Sequence, residues 1–338
     1  YKYRTLTIDG LRLTFLGLVE TNGKQDAVIP STHPWKVAEL TFQRPENIVQ
    51  QYANLKAEEN ADLYIALTHL GRWADFDLAH DFPYFDFIIG GHSHSLVDTV
   101  VNGIPIFQAG SYLHYMGKIM INVDNQQLNT IDFELIDLDN YNDYDAGIQL
   151  MIDQYNNSMP SLYDVIGYSS TYHYSNYNVG CFYTDALRSQ LNVEVSFQNP
   201  GGIRNDLDEG DITKGEIYAI SPFKNGTIVY TMTVLEIKDF FIGSGSGFYY
   251  SGIMLEQSGA EMLVKDINGQ VLQDNVSLTI GLNDYIPAVN DMYFPPPSAG
   301  IIQPFTDAES IIIYLENNPG PVNYPDCNRY FKYSFSLN

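Results

Sequence analysis

Three of the chain's seven histidines stand at the ends of two apolar runs. Leu63-Tyr64-Ile65-Ala66-Leu67 empties into Thr68-His69-Leu70-Gly71, and Phe87-Ile88-Ile89 empties into Gly90-Gly91-His92-Ser93-His94. Imidazole is a common ligand for zinc, iron and related divalent ions. Two strands that each end on imidazole put such ligands at the carboxyl edge of a sheet. Glycines there let the backbone turn sharply and come close to an ion. A lone histidine at a strand end is ordinarily a hydrogen-bonded loop residue. Three of them at two strand ends, with Gly-Gly ahead of the pair, point to a metal site.

Two further segments carry chemistry downstream. One is Asn199-Pro200-Gly201-Gly202-Ile203-Arg204, the other Ser221-Pro222-Phe223-Lys224-Asn225. With the histidine segments they resemble, in order, the motifs of the 5'-nucleotidase/UDP-sugar hydrolase family. In that family a calcineurin-like metallophosphoesterase domain precedes a C-terminal substrate domain. The resemblance implies metal-dependent hydrolysis of nucleotide phosphate esters. Its alternatives are a UDP-sugar or 2',3'-cyclic nucleotide phosphohydrolase, or a nucleotide-binding protein without catalysis. It implies two divalent ions (Zn, Mn, Mg or Fe), a nucleotide or nucleoside partner, and a periplasmic or cell-surface setting.

The implied roles fall on matching positions. His69 and His92 match the imidazole ligands of one metal, and His94 matches a neutral ligand of the other. Phe223 and Tyr285 match two rings that sandwich the base. Asn225 and Asp291 match groups that hold base and ribose, although Asn290-Asp291-Met292-Tyr293 replaces a Gly-Asp-Gly turn. Arg204 matches a phosphate contact, its fork suiting that role, and Asn199 opens the same motif. Relatives carry two more arginines where this chain has Thr171-Tyr172-His173-Tyr174-Ser175-Asn176-Tyr177. That departure loosens the expected restriction to nucleoside 5'-monophosphates.

The family's Asp-x-His, Gly-Asp and Gly-Asn-His-Glu motifs do not occur ahead of His69. The bridging carboxylate and the catalytic histidine are therefore expected in an N-terminal segment that this sequence lacks. No catalytic residue is assigned within it, and the chain alone is expected to hydrolyse nucleotides poorly. Asp75, Asp77 and Asp98 read as solvated loop carboxylates.

Composition sets the outer bounds. With 338 residues, 45% hydrophobic and 17% charged, the chain suits two globular domains. The net charge of −24 argues against a nucleic-acid polymer as partner. No run is long enough to span a membrane, and oligomeric state is not readable. Cys181 and Cys327 are too few for a disulfide framework or thiolate cluster. They read either as one pair or as two buried thiols.

These residues need strands to carry them, and the pattern supplies candidates. An α/β (α+β) two-domain chain is expected: a partial four-layer αββα metallophosphoesterase domain over 1–138, a linker helix within 139–160, and a mixed α/β substrate-binding domain over 161–338. In the first domain strands are expected at 12–18, 62–67, 85–89, 104–108 and 118–123. Apolar spacing through Ile48, Val49, Tyr52 and Leu55 predicts one helix from Pro45 to about Asn60. A second helix at 75–80 ends before Phe82-Pro83. Beyond it, Ile148, Met151, Ile152 and Tyr155 predict a helix over 145–158. The second domain should hold helices at 178–191 and 235–241, and strands at 193–197, 227–234 and 278–282. The glycines from 243 to 247 read as a turn.

Overall fold

The computed structural model describes residues 2–21, 32–124 and 127–334. They form two compact units, Tyr1–Asp145 and Ala146–Asn338.

The first unit is built on a sheet of β1 (Tyr3–Ile8), β2 (Leu11–Val19), β3 (Leu63–His69), β4 (Phe87–Ile89), β5 (Leu96–Val101) and β6 (Ile104–Ala109), in the order β1-β2-β3-β4-β6-β5. Strands β2, β3, β4 and β6 are parallel. Leu63 to Ala66 are buried without a break, as expected of a central parallel strand covered on both faces. A hairpin of β7 (Tyr115–Asp124) and β8 (Gln127–Asp137) supplies Ile119, Ile121, Ile131 and Phe133 to one face, over Leu13, Ile65 and Phe87. Helical segments cover the other face, where Val49, Leu55, Leu78 and Ala79 meet Leu16, Tyr64 and Ile88. The result is a helix–sheet–hairpin stack among the described residues.

The helix expected from Pro45 to Asn60 is broken. It consists of α1 (Pro45–Val49), a 3-10 turn at Gln50–Tyr52 and α2 (Leu55–Glu58). Val49 and Leu55 are both buried. Six residues apart, they would point to different faces of a straight helix, so the break lets both reach the core. Tyr84 and Tyr64 hydroxyls donate to the Val49 and Tyr52 carbonyls that the break leaves open. The second helix, α3 (Arg72–Asp81), starts earlier than expected, after Gly71 at φ 91°. It ends at Phe82, before Pro83, as the sequence requires.

The second unit opens with α4 (Ala146–Ser158), which buries no residue; Ile148, Met151, Ile152 and Tyr155 are exposed. The elements that follow are β9 (Val165–Ser169), α5 (Val179–Gln190), β10 (Val195–Gln198), β11 (Gly210–Thr213), α6 (Lys214–Ile220), β12 (Gly226–Thr233), α7 (Val234–Gly243) and β13 (Gly247–Ser251). The unit closes with β14 (Met254–Ser258), β15 (Glu261–Lys265), β16 (Ser277–Asn283), α8 (Tyr285–Val289), β17 (Ile301–Thr306), α9 (Asp307–Asn317) and β18 (Tyr330–Lys332). Its main sheet runs β17-β12-β16-β10-β13-β18.

Strand alternation splits the core of this unit in two. Phe248 enters a cluster with Phe240, Phe241 and Phe197, while its neighbour Tyr249 enters one with Phe182, Leu187 and Ile311. Helices α6, α7 and α9 each begin with a capping box, Thr213/Glu216, Thr233/Glu236 and Thr306/Glu309. Each box satisfies two orphan backbone donors and fixes where its helix begins. Cys181 and Cys327 are bonded, which resolves the open alternative in favour of the pair.

Candidate functional site

Parallel strands deliver the histidines to one edge. His69 is the last residue of β3, level with Val19 on β2. His92 and His94 follow β4 through Gly90-Gly91 and hold φ of 76° and 55°, a left-handed conformation that bulky residues seldom adopt. The His69 and His92 rings meet edge to face with centroids 5.1 Å apart, and both residues are exposed. A Cβ on Gly91 would lie 3.1 Å from His69 Nδ1, so a glycine there lets the loop pass against the ring. His94 packs instead against Tyr112, centroids 5.4 Å apart. Thus His69 and His92 are brought together, and His94 stands apart from that contact. No three His, Cys, Asp or Glu residues converge as a metal cage among the described residues.

Ser93 pins the loop between the two histidines. Its hydroxyl accepts from Arg72 N–H (3.1 Å) at the start of α3 and donates to Gln108 Oε1 (3.0 Å) on β6. The strained His92 and His94 are anchored by the residue between them.

Asp75 corrects the sequence reading. It lies in the first turn of α3, 1% exposed, beneath Gly90. Thr68 Oγ1 donates to its Oδ1 at 2.5 Å, while Oδ2 has no protein partner. Burial pushes its carboxyl up to about 6. The helix begins at Arg72, and this carboxylate faces inward and not to solvent; Asp77 and Asp98 are exposed as expected, but on α3 and β5 and not in loops.

In the second unit, sheet topology collects the implied substrate residues at one edge. β10 and β16 are parallel, and β16 and β12 antiparallel. The carboxyl ends of β10 and β16 and the start of β12 therefore share an edge. Asn199 follows β10, Tyr285 follows β16, and the Ser221–Asn225 turn precedes β12. Asn283 joins two of them: its Nδ2 donates to Gln198 Oε1 (2.6 Å) and Asn199 Oδ1 (3.3 Å), and its Oδ1 accepts from Ile286 N–H. A Cβ at Gly202 would lie 2.4 Å from Gln198 Nε2, which explains a glycine in the Asn199–Arg204 loop. Phe223 is 43% exposed and so is not a core residue. The Arg204 guanidinium carbon lies over its ring, 5.6 Å from the centroid, within cation–π range. Asn225 is buried, Tyr285 half-buried. Asp291 is exposed in the turn that Tyr293 N–H closes onto the Asn290 carbonyl. Its carboxylate makes no hydrogen bond or ion pair among the described residues.

One residue that the sequence did not reveal holds the aromatic turn at both ends. Asp307, fully buried at the start of α9, accepts from Ser221 Oγ (2.9 Å) and Tyr183 Oη (2.6 Å). Its own backbone N–H donates to the Asn225 carbonyl (3.0 Å). Ala308 N–H takes its other oxygen. Burial raises this carboxyl to about 6 against the pull of its hydroxyl partners. The Thr306-x-x-Glu309 signature was readable as a helix start, but the reach to Ser221 was not.

In sequence and in fold the chain resembles known proteins. Residues 163–295 match the family described as the 5'-nucleotidase C-terminal domain. The trifunctional nucleotide phosphoesterase protein YfkN of Bacillus subtilis is 25% identical, covering 87% of this chain and 22% of the relative. A 5'-nucleotidase of Vibrio cholerae is 22% identical, covering 95% of this chain and 69% of that protein. The chain thus spans about a fifth of the first relative's length. The crystal structure of a 5'-nucleotidase precursor from Thermus thermophilus superposes with a TM-score of 0.81 at 19% identity, covering 97% of this chain and 74% of that one. At that identity the likeness concerns the fold, and it bears out the expected two-domain α/β class.

Proposed function

We propose that this relative of the 5'-nucleotidases serves metal-dependent hydrolysis of nucleotide phosphate esters, its second unit holding the nucleotide. The observation that carries the reading is the Arg204 guanidinium within cation–π range of the half-exposed Phe223 ring. A phosphate-binding fork and a base-stacking face then stand side by side. The edge shared by Asn199, Asn225 and Tyr285 supports it.

The histidine edge fits divalent metal in part. Two exposed imidazoles in edge contact suit ligands of one ion, His69 and His92, with His94 offered to a second. When bound, such ions supply hydroxide near neutral pH and offset charge on the phosphoryl group. The chain's own residues bind and orient the nucleotide. Phe223 and Tyr285 take the base by stacking. Arg204 donates to phosphate oxygens through two parallel N–H groups. Asp307 keeps the Phe223 turn in place.

The absence of arginine between Thr171 and Tyr177 favours a wider ester range, including UDP-sugars and cyclic nucleotides, over a strict 5'-monophosphate substrate. The Cys181–Cys327 bond favours an oxidising, extracytoplasmic setting. No helix among the described residues is long and apolar enough to cross a membrane.

Calorimetry with adenosine and AMP tests the binding half of the reading. Arg204→Ala should weaken AMP more than adenosine, and equal losses would remove Arg204 from the phosphate site. For the metal half, calorimetric titration of the chain with Mn or Zn should show binding that His92→Ala weakens by about tenfold or more. Metal binding unchanged in His92→Ala would overturn the metal assignment.

A further inference from the structure

A cavity of about 440 Å³ opens beside the Asn199–Arg204 loop. Pro200 and Ile203 of that loop face it, with Ser175, Asn176, Tyr177, Tyr249, Asn328 and Tyr330. Its size lies within the range of roughly 300–1,000 Å³ typical of small-molecule sites.

The walls are fixed by the protein. Tyr249 and Tyr330 sit opposite each other on β13 and β18, their ring centroids 5.4 Å apart and their planes at 59°. Each ring is held over a glycine. A Cβ on Gly180 would come within 2.2 Å of the Tyr249 ring, and one on Gly247 within 1.9 Å of the Tyr330 hydroxyl. Behind the walls, buried Asn178 ties the chain ahead of Ser175 to the segment that leads to Asn328: Oδ1 accepts from Tyr174 N–H (2.6 Å) and Nδ2 donates to the Tyr324 carbonyl (2.9 Å). Asn328 stands between Cys327, bonded to Cys181, and Arg329. A preformed pocket costs its ligand little ordering.

The lining selects against anions. It contains no lysine or arginine. The adjacent guanidinium of Arg329 is engaged by both oxygens of Asp185, at 2.9 and 2.6 Å. The Asp206 carboxylate lies directly behind Ser175, accepting from its N–H. What remains is aromatic surface and neutral polar groups. The side-chain amides of Asn176 and Asn328 make no protein hydrogen bond among the described residues. An amide both donates and accepts, as a sugar hydroxyl does. The two tilted rings do not offer the parallel faces that sandwich a flat base, but a single exposed face suits the apolar side of a saturated ring.

We propose that this cavity binds a neutral sugar ring, stacked on Tyr330 and hydrogen-bonded by Asn176 and Asn328. The proposal does not depend on the nucleotide reading, since it shares no side chain with Phe223, Tyr285 or Arg204.

Saturation-transfer NMR on the full chain tests it, with methyl glucoside, methyl galactoside and methyl N-acetylglucosaminide as probes. At least one should receive saturation on its ring protons. Tyr330→Ala and Asn328→Ala should each weaken it by about fivefold or more, while Tyr330→Phe should retain the platform and bind within about twofold. Tyr330 is 41% exposed, so its truncation spares the core, and circular dichroism checks the fold. Glucose 1-phosphate should bind more weakly than methyl glucoside. Maltotriose identifies the source: transfer confined to its terminal ring marks a glycan end, and equal binding of methyl glucoside marks a free sugar, either of which supports the proposal. No transfer to any glycoside at millimolar concentration, or transfer unchanged in both alanine variants, overturns it. So does glucose 1-phosphate binding as well as the neutral glycoside.

Discussion

At the scale of single residues, Phe223 and Asp307 divide recognition from support. Stacking on one aromatic is worth about 1–3 kcal/mol per base. Phe223→Ala should therefore weaken adenosine by roughly fivefold or more in calorimetry, without a large change in melting temperature, since the ring is 43% exposed. Asp307→Ala should do both. It strands the Tyr183 and Ser221 hydroxyls in a buried site, a loss of about 1–3 kcal/mol, and it frees the turn that presents Phe223. An Asp307→Ala protein with lowered stability but unchanged adenosine affinity would make Asp307 a core residue only. The placement of His69 and His92 at strand ends and of Arg204 and Phe223 in loops was legible in the sequence, because each sits in a short motif whose neighbours explain it. Asp307 was not, because its partners lie 86 and 124 residues away. Asp75 was misread for a similar reason: nothing local says that Thr68 will turn its hydroxyl onto it.

Elements were more legible than their interruptions. The parallel strands, α5 and α7 follow from apolar runs and alternation, and the reading of 243–247 as a turn fits the gap between α7 and β13. The break inside 45–60 could not be foreseen, because it answers to two core positions rather than to helix propensity. Close approach between elements also escapes periodicity, and the β4–α3 junction shows what it costs. A Cβ at Gly90 would sit 2.3 Å from Asp75 Oδ2. Gly90→Ala should destabilise the first unit by about 1–3 kcal/mol in urea unfolding. The loss should shrink in an Asp75→Ala background, since contacting sites do not add; simple additivity would place the strain elsewhere. In the second unit the Cys181–Cys327 bond spans 146 residues and ties the β18 segment to α5. The paired Cys181→Ser, Cys327→Ser variant should lose about 2–5 kcal/mol, seen as a lower melting temperature. An unchanged one would show that packing alone holds the segment.

Across the whole molecule, buried ionisable groups couple stability to pH with both signs: Asp75 in the first unit and Asp307 in the second favour low pH, whereas His173 in the second favours high pH. In the first unit, Asp75 titrates near 6 when folded, against a reference of 3.8. Between those values the unfolded chain has released a proton that the folded chain keeps. Stability from this group is thus present at low pH, falls as pH rises through about 6, and is flat above. His173 in the second unit runs the other way. It is fully buried; its Nδ1 contacts Ser169 Oγ and its Nε2 accepts from Tyr324 N–H. Burial holds it below its usual value of 6.5. As pH falls through 6.5 the unfolded chain gains a proton that the folded imidazole refuses, so stability falls. The two effects can be read apart because both tryptophans, Trp35 and Trp73, lie in the first unit. Tryptophan-monitored urea unfolding of the parent and Asp75→Asn should give a stability difference that grows by about 1–1.5 kcal/mol in the parent's favour from pH 7 to pH 5. Comparing the two proteins at each pH cancels the shared relief of a −24 net charge on acidification. Parallel curves would mean that Asp75 is already ionised at pH 5, and so that water reaches the oxygen which lacks a protein partner.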